Sequence, residues 1–244
     1  RINSEKSDYM PFISEEGDRL FFTTDKKYMG TYGAYINNIE ATSISGSEWK
    51  RPRSIGSKVN TMEDEILAGF SSTNDILIAR LYRWEIFDDI LLFEINGISA
   101  RNVIEPGPNV NSKDHESGAC LSFTGDTLLF ASDRSGGFGG FDIYMTKKTP
   151  DGFWGIPVNL GPTINTEFNE DYPNLMNNGK TLYFASDNDQ SIGGYDIFYS
   201  NYGRNDEWTK PRNIGYPIND AYNNYNISFT SDGRYAYIGL NKEE

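Results

Sequence analysis

The amino-acid sequence predicts an all-β fold, a β-propeller built from four-stranded antiparallel blades. One pattern of glycine, asparagine, tryptophan and aromatic residues returns along the chain at intervals of 51 to 57 residues. No stretch shows the 3.6-residue periodicity of an amphipathic helix. Aromatic residues, which strands favour, make up 14% of the chain, and its 24 glycines suit a fold rich in turns.

The clearest element of the repeat is a glycine followed four positions later by an asparagine. The copies are Gly56/Asn60, Gly107/Asn111, Gly161/Asn165 and Gly215/Asn219, and Asn3 begins one further copy. A Trp-x-x-Pro-x-x-[Ile/Leu] segment leads into three of these glycines, from Trp49, Trp154 and Trp208. We therefore predict one domain, 1–244, with repeat units 3–59, 60–110, 111–164, 165–218 and an incomplete unit 219–244.

Each unit carries signals for four short strands. A glycine turn leads into an aromatic strand, as in 125–130 and 179–184. A glycine-rich hairpin and an Asp-Ile-Tyr or Asp-Ile-Phe strand follow, at Asp142 and Asp196. Four antiparallel strands in a repeat of roughly 40–50 residues are typical of a propeller blade. The chain holds four full units and two strands of a fifth, so we expect five or six blades, with strands outside this segment closing the ring.

Residues present in every unit are expected to build the blades. The aromatic positions should form layers between blades, and the tryptophan and proline before each glycine should shape the outer strand. Asp142 and Asp196 should cap backbone amides of their hairpins, as Asx side chains do in turns.

These motifs resemble the WD-like β-propeller repeat family, of the type found in TolB. The match covers nearly the whole chain and is closest to copies in Bacteroidetes envelope proteins, on the segments 171–175, 178–187 and 193–197. Such propellers often occur beside an OmpA-like peptidoglycan-binding domain, as in the PorE-type component of the type IX secretion and gliding machinery. Neither that domain nor tetratricopeptide repeats are visible in this sequence.

Composition excludes several classes of function. The formal net charge of −13 disfavours nucleic acid and anionic membranes and favours cationic partners. No apolar run approaches the about 20 residues of a membrane span. The single cysteine, Cys120, lies in an apolar stretch and is expected to be a buried, inert thiol. The single histidine, His115, has no second histidine or cysteine nearby, which makes a zinc site improbable.

Acidic residues follow the linking asparagines and form one candidate site. We predict that Asp64, Glu116, Glu170 and Asp171 gather near one mouth of the central channel. Gathered carboxylates would attract a cation or a basic peptide, and calcium is the metal they would suit. The alternative is a solvated acidic rim that binds nothing. No other cofactor is predicted.

The second unit departs most from the repeat and offers a candidate partner-binding site. We align Leu81 with Asp133 and Asp187 of the later units, and the glycine-rich hairpin is missing. Its place is taken by residues of the types enriched at binding hot spots, Arg80, Tyr82, Arg83 and Trp84. The alternative is a degenerate blade whose aromatics pack locally.

The sequence favours a non-catalytic protein-interaction scaffold. By resemblance, its place would be the bacterial periplasm at the outer membrane, within a secretion or gliding assembly. The first alternative is a glycan- or peptidoglycan-binding propeller, and the second is a glycoside hydrolase, for which the sequence pairs no carboxylates. A Ser-His-Asp triad would depend on His115, and no Gly-x-Ser-x-Gly motif supports one.

Overall fold

A computed structural model of the chain describes residues 2, 7–27, 35–71, 73–82, 88–176 and 179–239. Throughout these ranges the chain forms β-strands, turns and loops without an α-helix, which confirms the all-β prediction. Within the same ranges there is accordingly no helix of the length and hydropathy that a membrane span needs.

The strands fall into five successive sheets, one for each predicted unit. The first contains β1 (Asp8–Ile13), β2 (Arg19–Lys27), β3 (Tyr35–Ser45), β4 (Glu48–Trp49) and β5 (Arg53–Ser54). The second contains β6 (Asp64–Ser71), β7 (Ile76–Tyr82), β8 (Asp88–Asn96) and β9 (Ser99–Ile104). The third contains β10 (Glu116–Leu121), β11 (Thr127–Ser132), β12 (Asp142–Lys147) and β13 (Val158–Asn159). The fourth contains β14 (Glu170–Leu175), β15 (Thr181–Ser186), β16 (Asp196–Asn201) and β17 (Arg212–Asn213), and the fifth contains β18 (Ile227–Phe229) and β19 (Ala236–Ile238).

Neighbouring strands within each sheet are antiparallel and follow chain order, so the sheets are meanders, except that β5 of the first sheet pairs with β3 beside β4. We number the sheets as blades 1 to 5. Blades 3 and 4 share one register: β11 pairs with β12 from Thr127 to Ser132, and β15 pairs with β16 from Thr181 to Ser186. The first strand of each of blades 1 to 4 carries an irregularity, for example between Glu116 and Ala119 in β10. This bulge twists the inner strand where it passes the axis.

The five blades form a closed ring. The first strands contact one another in the order β1, β6, β10 and β14, and β18 then contacts β1. Asn174 of blade 4 donates a hydrogen bond to the Ile227 carbonyl of blade 5. Blade 5 in turn meets blade 1, since the Ile13 amide donates to Ser228 Oγ at 3.1 Å. The two strands described for the fifth unit are therefore enough to join blade 4 to blade 1 in a five-bladed ring.

The core consists of layers between blades, as the aromatic positions predict. Phe130 and Tyr144 of blade 3 pack against Ile78 and Ile90 of blade 2 in one layer. Similar layers join blades 1 and 2, blades 3 and 4, and blades 5 and 1. The repeated tryptophans contribute to these layers, and Trp154 is buried. A single sheet of this size leaves two apolar faces exposed, and the stacking of blades buries them.

The repeated asparagine fastens each linker to the blade before it. Asn165 Oδ1 accepts a hydrogen bond from the Ile143 amide at 2.8 Å, and its Nδ2 donates to the Ile143 carbonyl at 2.9 Å. Asn219 makes the same pair of bonds with Ile197. Asn60 makes the equivalent pair of bonds with Ile39, and Asn111 makes it with Ile90. A side-chain amide suits this position because it offers one donor and one acceptor to a single residue's backbone.

The pairing in blade 2 corrects one detail of the sequence alignment. Leu81 lies opposite Glu65, and Ser132 lies opposite Glu116 in blade 3. Leu81 therefore takes the place of Ser132, and Tyr82 takes the place of Asp133. The predicted alignment of Leu81 with Asp133 is wrong by one residue, because the residues that the second unit lacks lie beyond Leu81.

Candidate functional site

One end of the ring carries both the linkers and the glycine-rich hairpins, and we call it the hairpin face. Its described segments are 60–65, 111–116, 133–141, 165–170, 187–195 and 219–224. Each hairpin is joined to the next linker by backbone bonds: the Gly140 amide donates to the Phe168 carbonyl, and the Glu170 amide donates to the Phe141 carbonyl. The close fit requires glycine, because a Cβ on Gly139 would lie 2.0 Å from the Phe168 carbonyl oxygen.

Buried aspartates hold the hairpins in shape, which confirms the predicted role of Asp142 and Asp196. Asp142 accepts hydrogen bonds from the Phe138 amide at 2.6 Å and the Gly139 amide at 3.2 Å. Asp196 accepts one from the Ile192 amide at 2.7 Å. Because these bonds fix the backbone at the hairpin tips, the side chains of Phe138 and Ile192 are presented from a rigid base.

The tips of both hairpins carry exposed apolar side chains. Phe138 is 50% exposed and Ile192, at the equivalent position of the next blade, is 56% exposed. The linkers of the same face add Met62 and Tyr222, which are also exposed. Large apolar groups in solvent on a face otherwise rich in polar residues are typical of an interaction surface. Sequence analysis missed Phe138 and Ile192, although an apolar residue inside a run of glycines was a signal for them.

The hairpin face is acidic as well as apolar. Its described segments contain eight carboxylates that are at least partly exposed and two cations, the exposed Lys113 and the partly exposed Arg134, which is paired with Glu116. The eight are Glu63, Asp64, Asp114, Asp133, Glu167, Asp187, Asp189 and Asp220. Much of the protein's negative charge therefore lies where the exposed apolar side chains are, and this combination favours a partner that is both basic and apolar.

The carboxylates predicted to form a cation site are engaged with donors of their own chain. Glu116 is fully buried and accepts hydrogen bonds from Ser112, Ser132 and Arg134. Glu170 is equally buried and accepts from Thr166 and Ser186. Burial raises the pKa of both carboxyl groups, against these hydrogen bonds.

The other two predicted carboxylates also accept hydrogen bonds from the chain. Asp64 accepts one from the Asn37 amide at 2.7 Å. Asp171 is buried and accepts from Ser117 Oγ at 2.8 Å and from the Gly118 amide at 3.0 Å. In the part of the chain that the structure describes, no three histidine, cysteine or acidic residues are grouped to hold a metal ion. The geometry gives the calcium hypothesis no support, and it stays a prediction.

The predicted partner-binding residues of the second unit separate into two kinds. Arg80 is directed into the protein, where its guanidinium donates to Asp88 Oδ2 and to Ser117 Oγ. Tyr82 lies at the end of β7 and is 43% exposed. Arg83 and Trp84 lie outside the described residues. Only Tyr82, among the described members of this set, is therefore available at the surface of the chain.

A polar network and a cluster of tyrosines occupy the centre of the ring. Ser117 links Arg80 of blade 2 to Asp171 of blade 4. The Tyr172 ring lies 5.6 Å from that of Tyr225 in blade 5 and packs against the core between blades 1 and 2. These groups bond to each other across the axis, so they tie the blades together. The network and the pair of rings thus connect residues of blades 2, 3, 4 and 5.

Comparison with solved structures identifies the fold. TolB from Acinetobacter baumannii is 12% identical over 92% of this chain, with a TM-score of 0.51, and the match covers 47% of TolB. A glycosyl hydrolase from Bacteroides ovatus is 9% identical over 96% of the chain, with a TM-score of 0.51, and 81% of it is covered. A puromycin-hydrolysing peptidase from Mycobacterium tuberculosis is 10% identical over 94% of the chain, with a TM-score of 0.52 and 34% of it covered.

The chain has a TolB-type β-propeller fold. It spans about half the length of TolB and a third of the peptidase. No protein-family model matches the sequence, and no curated protein is similar to it. Because these structural neighbours include enzymes and a non-enzyme at very low identity, they establish the fold and leave the activity open. The resemblance to the PorE-type branch has no support from them and stays a prediction.

Proposed function

We propose that this chain is a non-catalytic protein-interaction module that binds a basic partner through the hairpin face. The observation that carries the proposal is the pair Phe138 and Ile192, half exposed at the tips of consecutive hairpins on a face whose described segments also carry eight exposed or partly exposed carboxylates. Apolar side chains in a polar surround are the usual centre of a protein-binding site, because their burial stabilises a complex while the charged rim selects the partner.

The construction of the hairpins supports binding by rigid presentation. Asp142 and Asp196 fix the tip backbones, and the glycines at 139 and 193 press the hairpins against the following linkers. A surface ordered before binding loses little conformational entropy when the partner arrives, which increases affinity.

The bacterial envelope is the proposed location, with the periplasm as the compartment. This rests on the resemblance of the repeats to TolB-type envelope propellers and on the fold shared with TolB. A scaffold at the outer membrane, within a secretion or gliding assembly, is the finer form of the proposal.

A photo-crosslinking experiment tests the proposed face. A benzoylphenylalanine placed at Phe138 should capture a defined partner in the host envelope, whereas the same group at Phe153 should not. Phe153 is a matched control because it is 75% exposed and lies in the turn after β12, at the opposite end of blade 3. The captured protein is then purified, and its affinity for the chain is measured by calorimetry.

The affinity measurement decides the proposal. Phe138→Ser with Ile192→Ser should weaken binding of the purified partner tenfold or more, and Phe153→Ser should leave it unchanged. Equal capture from both positions, or unchanged affinity of the double variant, would contradict the proposal. Binding of purified peptidoglycan that depends on Phe138 would favour the glycan-binding alternative instead.

A further inference from the structure

A cavity of about 580 Å³ opens at the hairpin face, between blade 4 and the linker that joins blades 3 and 4. Phe184 and Phe198 of blade 4 form its floor, where they are only 2% and 1% exposed, and their rings stack with centroids 6.1 Å apart. Thr163 and Ile164 of the linker and Asn188 of the hairpin line it as well. Aromatic rings beside backbone and amide groups form a site with both an apolar and a polar side.

The equivalent space between blades 2 and 3 is occupied by an arginine of the chain itself. The guanidinium carbon of Arg134 lies 4.8 Å from the centroid of Phe130 and 5.2 Å from that of Tyr144. The same guanidinium donates hydrogen bonds to the carbonyls of Asn109 at 3.1 Å and Val110 at 2.6 Å. It also forms an ion pair with the buried Glu116 at 3.0 Å.

Asn188 holds the position in blade 4 that Arg134 holds in blade 3. The Arg134 amide donates to Ser132 Oγ at 3.2 Å, and the Asn188 amide donates to Ser186 Oγ at 3.3 Å. The two serines occupy the same position of the shared register, opposite Asp142 and Asp196. The hairpins therefore begin alike, with a serine and an aspartate, and they diverge from Arg134 and Asn188 onward.

Part of the surroundings of the arginine recurs in blade 4, where the arginine itself is absent. The lining residues that differ are Glu167, Phe168, Asp189, Gln190 and Lys210, in place of Lys113, Asp114, Ser135, Gly136 and Ile156. Phe184 and Phe198 correspond to Phe130 and Tyr144, and each pair is stacked about 6.1 Å apart. Thr163 and Ile164 correspond to Asn109 and Val110, because they lie two and three residues after the repeated glycines Gly161 and Gly107. The buried Glu170 corresponds to Glu116, with Thr166 and Ser186 as donors where Glu116 has Ser112 and Ser132.

We propose that this cavity, which we call the blade 3–4 pocket, binds an arginine side chain of a partner protein. Blade 3 shows how such a site holds a guanidinium: two carbonyls and a carboxylate receive its planar donors while aromatic rings cover its face. Lysine lacks the planar fork and fits this arrangement less well. The inference deepens the proposed function, because it names the chemistry by which the hairpin face selects a basic partner.

The charges at the pocket are compatible with a cationic guest. Glu167 and Asp189 line it together with one cation, Lys210. The fully buried Glu170 lies behind Thr166, to which it is hydrogen bonded. The lining therefore carries two carboxylates and one ammonium group. The protein as a whole carries a net charge of −13.

Binding of a small arginine derivative tests the pocket without a partner protein. The probe is N-acetyl-arginine methylamide, and its citrulline and lysine counterparts are the matched controls. Titration followed by NMR on the whole chain should give one site for arginine, with shifts centred on Asn188 and Thr163. Citrulline, which has the same shape without the charge, should bind at least tenfold more weakly, and lysine should also bind more weakly.

Two variants locate the site. Asn188→Arg should fill the pocket as Arg134 fills the space beside blade 3, and binding of the probe should fall at least tenfold. Ile156→Arg is the control, because it adds the same charge at an 83% exposed position outside the pocket and should leave binding unchanged. Arg134→Asn should open the second space and raise the number of arginine sites from one to two.

The results separate this inference from the proposed function. Equal binding of arginine and citrulline, absence of arginine binding, or undiminished binding by Asn188→Arg would overturn the pocket. If the partner captured at Phe138 binds the Asn188→Arg variant with unchanged affinity, the hairpin face stands and the pocket is wrong. If the arginine probe binds but no partner depends on Phe138 and Ile192, the pocket stands and the proposed docking face is wrong.

Discussion

Blades 3 and 4 are nearly the same structure built twice. Both pair their second and third strands over six residues, and both cap their hairpins with a buried aspartate. The aspartates are in turn bonded by Asn159 and Asn213 of the outer strands at 2.7 and 2.6 Å. The two blades differ most in their hairpins, where Arg134 of one becomes Asn188 of the other, and a cavity lies beside Asn188 where Arg134 fills the space beside blade 3.

The difference separates two kinds of residue in a repeat protein. Positions that are the same in both blades satisfy buried backbone groups or cover apolar faces, so a change there should weaken the fold. A position that differs between blades can change the surface without changing the strands and turns, because the residues common to both blades are sufficient to form them. Specific recognition is therefore to be sought where one blade departs from the next.

The repeated asparagines give the largest expected effect. Asn165→Ala removes both bonds to the backbone of Ile143 and leaves its buried amide and carbonyl without the side-chain partner. Asn219→Ala does the same to Ile197. Each change should lower the free energy of unfolding by about 2–4 kcal/mol, measured by urea denaturation.

The comparison between blades predicts that these two losses are similar. Asn205→Ala is the control, because Asn205 is exposed in a turn of blade 4 and its replacement should change stability by less than about 0.5 kcal/mol. A loss at Asn165 or Asn219 no larger than that of the control would mean that the repeated asparagine does not fasten the linker.

Arg134 should have a smaller effect on stability than the asparagines. Arg134→Asn removes the ion pair to the buried Glu116 and two bonds to carbonyls, which should cost about 2 kcal/mol of unfolding free energy. Arg134→Lys keeps the charge without the planar fork and should lose about half as much. If both variants unfold at the same urea concentration as the parent, then the guanidinium does not stabilise blade 3, and the analogy between the two blades fails.

The fold could be predicted from the sequence because its determinants are local. Glycine turns, alternating strands and hairpin aspartates recur at fixed spacing, and each one specifies a short stretch of backbone. The number of blades could not be predicted in this way, because it depends on contacts between the first and the last blade, such as the hydrogen bond between Ile13 and Ser228. No local pattern reports on a contact between residues so far apart in sequence.

The candidate site was harder to predict, since it depends on which way side chains point. Glu116 and Glu170 appear in the sequence as free acidic residues of a linker, whereas hydroxyls of Ser112 and Thr166 hold them inside the protein. The replacement of Arg134 by Asn188 is visible when the repeats are aligned. The cavity itself is not visible there, because it is bounded by the linker that precedes blade 4 together with strands and the hairpin of blade 4, which are far apart in sequence.

Glu65 extends the comparison to blade 2 and gives the smallest of these effects. Its Oε1 accepts hydrogen bonds from Thr61, whereas Leu81 stands opposite it where blade 3 offers Ser132 to Glu116. Burial raises the pKa of Glu65 from its ordinary 4.5 to about 7. The folded protein therefore holds the Glu65 proton more tightly than the unfolded chain does. The contribution of this group to the free energy of unfolding is fully present below about pH 4.5 and is lost as the pH rises through about 7.

Glu65→Gln should make the stability of the protein less dependent on pH between 5 and 7.5. The parent should lose on the order of 1–2 kcal/mol of unfolding free energy to this group across that interval, and the variant should retain it. Urea denaturation at both pH values measures the difference, with the exposed Glu48→Gln as a control that keeps the parent's slope. An unchanged slope in Glu65→Gln would mean that the carboxyl is ionised in the folded protein near pH 5. The ionised carboxylate of Glu65 would then be stabilised in blade 2 as well as that of Glu116 is in blade 3, although Leu81 takes the place of the serine.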